Sequence, residues 1–192
     1  MGDSLSAAYG IPLESGWVRL LQQRLRQQGY PHRVINGSVS GETTAGGLAR
    51  LPASLRRHKP EIVLIELGGN DGLRGLPLKQ LRINLDRLSR YSRAAGARVA
   101  LFEMRIPPNY GQTYAQGFQD SFAVVARAHR ATVVPFFLAR LVEREGMFQD
   151  DGIHPTAAGQ PLMLDAVWPA LEPLLRESKS AKTAYWSSIP KS

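Results

Sequence analysis

Apolar residues recur along the chain in two rhythms, one of short unbroken runs and one of three-and-four spacing. Ile62-Val63-Leu64-Ile65-Glu66-Leu67 is the clearest run, apolar at nearly every position, as a strand covered on both faces requires. Val99-Ala100-Leu101-Phe102 and Thr132-Val133-Val134-Pro135 predict two more strands, and Arg33-Val34-Ile35-Asn36 a short earlier one. Between them the spacing turns helical. Trp17, Leu20, Leu21 and Leu25 share one face of a helix that Gly29 ends, with Arg19, Gln22, Arg24 and Arg26 turned away. Thr44 to His58 predicts a second helix, broken or kinked at Pro52. Pro77 opens a third in the first-turn position that suits proline, with Leu78, Leu81, Leu85 and Leu88 as its inner stripe and Gly96 as its stop. Tyr114 to Arg130 predicts a fourth, with Phe118, Phe122, Val125 and Ala126 inward. A short helix at Phe137 to Glu143 and a final one at Pro161 to Arg176, bent at Pro169, complete the pattern.

Strands that alternate with helices of ten or more residues imply an α/β fold with a parallel sheet, helices on both faces and right-handed crossovers. In such sheets a site forms beyond the carboxyl ends of the strands. With 192 residues and no internal repeat or linker, the chain suits one domain, expected over residues 1–176. From Glu177 the composition shifts to Ser, Lys and Thr, and residues 177–192 read as a basic, disordered tail.

Composition narrows the chemistry. No apolar run approaches the roughly 18 residues of a membrane helix, so stable membrane insertion is not expected. The absence of cysteine removes disulfides, zinc–thiolate sites and cysteine nucleophiles. A net charge of +8 admits nucleic acid, an anionic membrane surface or an anionic substrate. The arginines, however, are scattered over every helical segment without a dense run or aromatic interleaving. A solvated basic surface with no nucleic-acid partner is the reading they support. No basic-then-apolar leader precedes the first element, so the chain as given would stay in the cytoplasm.

Four short stretches carry candidate chemistry. Ser4, in Gly2-Asp3-Ser4-Leu5-Ser6, lies where a first strand should end. Its hydroxyl is a weak nucleophile until a base removes the proton. His154 can be that base. Asp151, three residues earlier in a turn closed by Gly152 and Pro155, can hold the imidazole Nδ1–H and leave Nε2 free toward Ser4. A tetrahedral intermediate also needs donors for its oxyanion. The Ser4 and Gly41 backbone N–H groups and the Asn70 side-chain amide are the candidates. Each stretch alone is an ordinary turn, and Gly37-Ser38-Val39-Ser40-Gly41 is not the hydrolase elbow, since its central residue is Val39. All four in this order on this fold point to a serine hydrolase.

The chain resembles the SGNH (GDSL) hydrolase family from Gly2 to about Leu175. It is most similar there to the bacterial acyl-CoA thioesterase I, lysophospholipase and arylesterase group. The motifs are Gly2-Asp3-Ser4-Leu5-Ser6, Ser40-Gly41-Glu42-Thr43, Glu66 to Gly75 and Gln149 to Pro155. The resemblance implies a flavodoxin-like three-layer α/β/α fold and a triad of Ser4, Asp151 and His154. It implies an oxyanion hole of Ser4, Gly41 and Asn70, with neither metal nor cofactor. It implies a mobile loop at about Gly72 to Pro77 that closes over acyl chains. Gly72, Leu73, Arg74, Ile106, Pro107 and Tyr110 are the expected substrate-binding residues. Substrates would be small acyl esters and thioesters, with lysophospholipid as a further candidate, handled by a monomer or weak dimer in the periplasm or outside the cell.

One departure sets further expectations. The family carries an apolar central strand that ends at the G-D-S motif, whereas this chain begins Met1-Gly2. A lost central strand would remove ladder bonds from both neighbours and leave Ser4 on a frayed terminus. Either the recorded start lies too far downstream or the chain is a truncated, inactive form. The second possibility, with the net charge of +8, keeps a non-catalytic binding module as a competing reading, and a different specificity of the same site, carbohydrate O-deacetylation, is another.

Overall fold

The computed structural model describes the backbone of residues 1–187 and the side chains of residues 1–177. Three strands, β1 (Ile62–Ile65), β2 (Arg98–Phe102) and β3 (Thr132–Val134), form a parallel sheet in the order β1-β2-β3. Ile62 stands opposite Arg98, and Ala100 opposite Thr132. The helices are α1 (Trp17–Gln27), α2 (Thr44–His58), α3 (Gly69–Leu73), α4 (Leu78–Ala94), α5 (Gln112–His129), α6 (Ala139–Val142) and α7 (Gln160–Ser187). One helical layer runs α2, α4, α5 and the other pairs α1 with α7, so the central strand β2 is covered from both sides. The expected three-layer α/β arrangement is the one found.

Side-chain shape explains how the layers meet. Trp17, Phe102 and Phe137 join α1 to β2, with the two phenyl rings at 5.2 Å and nearly perpendicular. Phe118 and Phe122 of α5 form a second edge-on pair on the other layer at 5.3 Å. Edge-to-face contacts of this kind add to the burial of large apolar rings. Phe102, Met104 and Phe137 are buried core residues.

Four expectations are corrected. Residues 33–36 carry no strand ladder; the Val34 N–H is taken by the Gln22 side chain at 2.8 Å. An apolar cleft of about 380 Å³, lined by Leu21, Leu25, Val34, Leu55, Val63 and Leu171 among others, separates this segment from β1. The amino terminus is not frayed. The Met1 ammonium donates to the Leu64 carbonyl at 3.0 Å, the Glu66 N–H to the Met1 carbonyl at 2.9 Å, and Gly2 bridges Glu66 in parallel. Pro52 leaves α2 continuous. Finally, α7 continues through Ser187, since no glycine or proline interrupts residues 177–187 and Glu177 pairs with Arg98 at 3.0 Å. Residues 188–192 of the expected tail lie outside the described residues.

His58 is exposed, but His129 is half-buried and bonds Asp86 at 2.7 Å, and His32 is half-buried near Glu61. Among the described residues no helix is long and apolar enough to cross a membrane.

Candidate active site

Ser4 follows directly on the Gly2–Glu66 bridge, so β1 fixes where its loop begins. Asp3 shapes the turn. Its carbonyl accepts the Ser6 and Ala7 N–H groups, and its Oδ1 accepts the Leu5 N–H at 3.0 Å. This is the local side-chain-to-backbone bonding that aspartate offers at a turn. Behind it, Glu66 Oε2 accepts the Ser6 hydroxyl at 2.6 Å and the Asp3 N–H at 3.2 Å.

The loop at residues 148–155 is closed on itself. Phe148 bridges Pro155, the Gln149 N–H donates to the His154 carbonyl at 2.8 Å, and the Gly152 N–H to the Gln149 carbonyl at 2.9 Å. Inside this turn Asp151 Oδ1 accepts the backbone N–H groups of Ile153 and His154, each at 2.9 Å. Its Oδ2 lies 2.7 Å from His154 Nδ1. On the far side of the ring, His154 Nε2 lies 2.8 Å from Ser4 Oγ. Hydroxyl, imidazole and carboxylate are thus in line across 150 positions of sequence. Such a chain can move the hydroxyl proton to Nε2 while the carboxylate faces the imidazolium.

Charge supports that direction of transfer. The His154 backbone N–H, its ring and the Ile153 N–H lower the Asp151 carboxyl to about 2, so it stays ionised beside the ring. Burial pushes the Asp3 carboxyl up to about 6, against bonds from Leu5 and Asn70 and the nearby His154. Burial, and then the Asp3 charge, raises Glu66 well above the usual carboxylate range. Burial also lowers the Met1 ammonium to about 6.

The other two loops converge here. Gly41 has φ +75°, a conformation that glycine adopts without strain, and an added Cβ there would meet only Arg74 Nη2, at 4.0 Å. Asn70 Nδ2 donates to the Glu42 carbonyl at 3.0 Å and to Asp3 Oδ2 at 3.2 Å, which ties the Gly41 loop to the Ser4 loop. Among the described residues neither the Ser4 nor the Gly41 backbone N–H is spent on another acceptor. A buried network braces both loops. Asp71 takes the Thr44 hydroxyl at 2.5 Å and the Thr44 N–H at 2.8 Å, and Asn84 donates to the same hydroxyl at 3.0 Å. Asp71 therefore caps the amino-terminal turn of α2 from a separate element.

The residues expected to bind substrate divide. Arg74 donates to the Gly41 carbonyl at 3.1 Å, and the Tyr110 hydroxyl to the Leu73 carbonyl at 2.8 Å. Leu73 and Ile106 are half-buried and Pro107 is exposed. Gly72 is buried against Ile106 and Phe118 and packs rather than lines a surface. Two residues went unread in the sequence. Tyr9 lays its ring 4.4 Å from that of His154, and the Tyr114 hydroxyl donates to the Leu76 carbonyl at 2.7 Å. Among the described residues no three His, Asp or Glu side chains gather as metal ligands.

Comparison with known proteins accords with this geometry. Residues 1–162 match the model of the GDSL-like Lipase/Acylhydrolase family. The chain is 52% identical over 175 residues to the Esterase TesA of Pseudomonas aeruginosa, covering 91% of this chain and 87% of that protein. It is 39% identical over 175 residues to the Thioesterase 1/protease 1/lysophospholipase L1 of Escherichia coli strain K12, covering 91% and 83%. Among solved structures, the psychrotrophic esterase EstA from a Pseudoalteromonas species, inhibited by monoethylphosphonate, superposes with a TM-score of 0.88 at 43% identity. That match covers 92% of this chain and 96% of that one.

Proposed function

The chain belongs to the GDSL-like lipase/acylhydrolase family, and from that premise we propose that it hydrolyses carboxylic esters through Ser4, His154 and Asp151. The observation that carries the reading is the unbroken line Ser4 Oγ, His154 Nε2, His154 Nδ1, Asp151 Oδ2, with spacings of 2.8 and 2.7 Å.

The reaction follows from that line. Ser4 Oγ attacks the ester carbonyl carbon as its proton passes to His154 Nε2. Asp151, held ionised, stabilises the imidazolium and keeps the ring oriented. The carbonyl oxygen takes up the negative charge and meets the Ser4 N–H, the Gly41 N–H and the Asn70 amide. Collapse breaks the bond to the leaving alkoxide, which takes the proton back from His154 and departs as the alcohol. Water then gives its proton to His154 and attacks the acyl-Ser4 carbonyl. The second tetrahedral adduct collapses to the free acid as the proton on His154 returns to Ser4 Oγ, which restores the serine.

Acyl esters and thioesters are the substrate class this reading favours. Exposed apolar and aromatic side chains lie on the loops of the site: Tyr9 against the His154 ring, Ile153 next to it in the same turn, Leu76 just past α3, and Tyr110 bonded to the Leu73 carbonyl. The related thioesterase and lysophospholipase name agrees with that class. Hydrolysis of an aryl ester series from acetyl to decanoyl, with acyl-CoA and lysophospholipid in parallel, tests the assignment. Turnover should be present in the wild type and absent in a folded Ser4→Ala protein. Undiminished turnover by Ser4→Ala would remove the serine from the mechanism.

A further inference from the structure

Resting on the esterase reading above, a further role attaches to the residue just before the nucleophile. Asp3 is buried, and its carboxylate does two things. Oδ1 holds the Leu5 N–H at 3.0 Å, and Oδ2 holds one hydrogen of the Asn70 amide at 3.2 Å. The other Asn70 hydrogen goes to the Glu42 carbonyl at 3.0 Å. An amide has only two donor hydrogens, so both are committed before substrate arrives. An oxyanion can therefore recruit Asn70 only if one of the two existing acceptors gives way.

The acceptors are unequal. The Glu42 carbonyl is neutral and belongs to the turn that leads into α2, where the flanking Gly41 is exposed. Asp3 is fixed from three directions: by Leu5 in front, by Asn70 beside it, and by Glu66, which accepts its N–H from behind. Hydrogen bonds to an ionised acceptor are also the stronger kind. The carbonyl is the partner that yields.

We propose that Asp3 is the positioning residue of the oxyanion hole, gripping one Asn70 hydrogen throughout turnover while the other passes from the Glu42 carbonyl to the oxyanion. Asp3 does not touch substrate. It acts by holding the Asn70 amide in place, so that the second N–H is presented to the oxyanion once the Glu42 carbonyl gives way. Its local turn bond to Leu5 is a separate, structural duty.

A double-mutant cycle separates the two duties. Steady-state kcat and KM for an aryl ester are measured for wild type, Asp3→Asn, Asn70→Ala and the double variant, with thermal melting to report folding. Asparagine at position 3 keeps an acceptor for the Leu5 N–H but turns a donor toward Asn70. Asp3→Asn should lower kcat about ten- to a hundredfold with KM within about twofold, less than or equal to deleting an oxyanion donor outright. In the Asn70→Ala background the same change should cost less than about threefold, since no amide remains to be aimed. Equal losses in both backgrounds, or a wild-type kcat in Asp3→Asn, would overturn the proposal.

Should the Asp3 variants fail to fold, the wild-type protein gives the answer by NMR. Phosphonylation of Ser4 mimics the tetrahedral adduct, and the two Asn70 side-chain protons are followed before and after. The proton facing Glu42 should shift strongly and the one facing Asp3 should stay. The reverse pattern, or no shift of either, would defeat the idea. Failure of the esterase reading itself has a different signature: wild type would neither turn over esters nor accept the phosphonate.

Discussion

The rings of Tyr9 and His154 lie 4.4 Å apart between centroids, inclined by 39°. The contact covers one face of the imidazole without using either ring nitrogen, both of which are engaged by Asp151 and Ser4. Aromatic pairs of this kind contribute about 0.5–1.5 kcal/mol beyond burial. Tyr9→Ala should therefore lower kcat for an aryl ester by about two- to tenfold, while Tyr9→Phe stays near wild type. Steady-state kinetics on the two variants check the point.

Thr44 joins the two loops that carry Gly41 and Asn70. Its hydroxyl donates to Asp71 and accepts from Asn84, all three residues being buried. Thr44→Val keeps the shape and removes the hydroxyl, so polar atoms on both partners are left unpaired. The expected loss is about 1–3 kcal/mol of unfolding free energy. Urea denaturation should show a lower midpoint with an unchanged slope.

Gly72 sits where a Cβ would come within 2.6 Å of Ile106 Cγ2 and of a Phe118 ring carbon. Gly72→Ala should cost about 1–3 kcal/mol by overpacking, less the helix-forming advantage of alanine over glycine. A lower melting temperature is the expected readout. A raised KM at unchanged melting temperature would instead return Gly72 to the substrate surface.

The Glu66 carboxyl is raised by burial and by Asp3 above its ordinary value of 4.5. A carboxyl raised on folding favours the native state below its unfolded pKa, and that contribution drains away as the pH climbs. The Met1 ammonium opposes the loss, but it is itself lowered to about 6 and fades above that pH. Glu66→Gln cannot ionise. The melting temperature of the variant minus that of wild type should therefore rise steadily from pH 4 to pH 8. A flat difference across that window would mean Glu66 titrates normally.

What the sequence conveyed, and what it did not, follows from the range of each interaction. β1 and β2 were readable because a strand covered on both faces must be apolar almost throughout, and β3, whose Val133 is exposed, because Thr132-Val133-Val134 is a β-branched run. Ser4, Gly41, Asn70, Asp151 and His154 were readable as candidates because glycine, aspartate and proline mark loops locally. Residues 33–36 have the local look of a strand, but the Val34 N–H goes to the distant Gln22 side chain and no ladder forms there among the described residues. Pro52 has the local look of a break, yet packing on either side carries α2 across it. The tail composition concealed a helix that continues to Ser187. Tyr9 had no local signal at all. Its carbonyl meets Gln149 at a separation of 140 positions, and only the fold brings that pair together.

The turn that holds Asp151 also holds His154, and every bond between the two lies inside four residues. In the proposed mechanism, carboxylate and base therefore belong to one turn, which meets the nucleophile through the joint at Ser4 Oγ. A small slip of residues 148–155 away from the Tyr9 carbonyl, where Gln149 is anchored at 2.9 Å, would disengage that joint like a clutch. On the proposed mechanism, ester turnover should then fall at a temperature below the melting of the sheet and helices, a comparison that activity and circular dichroism on the same heating ramp would check.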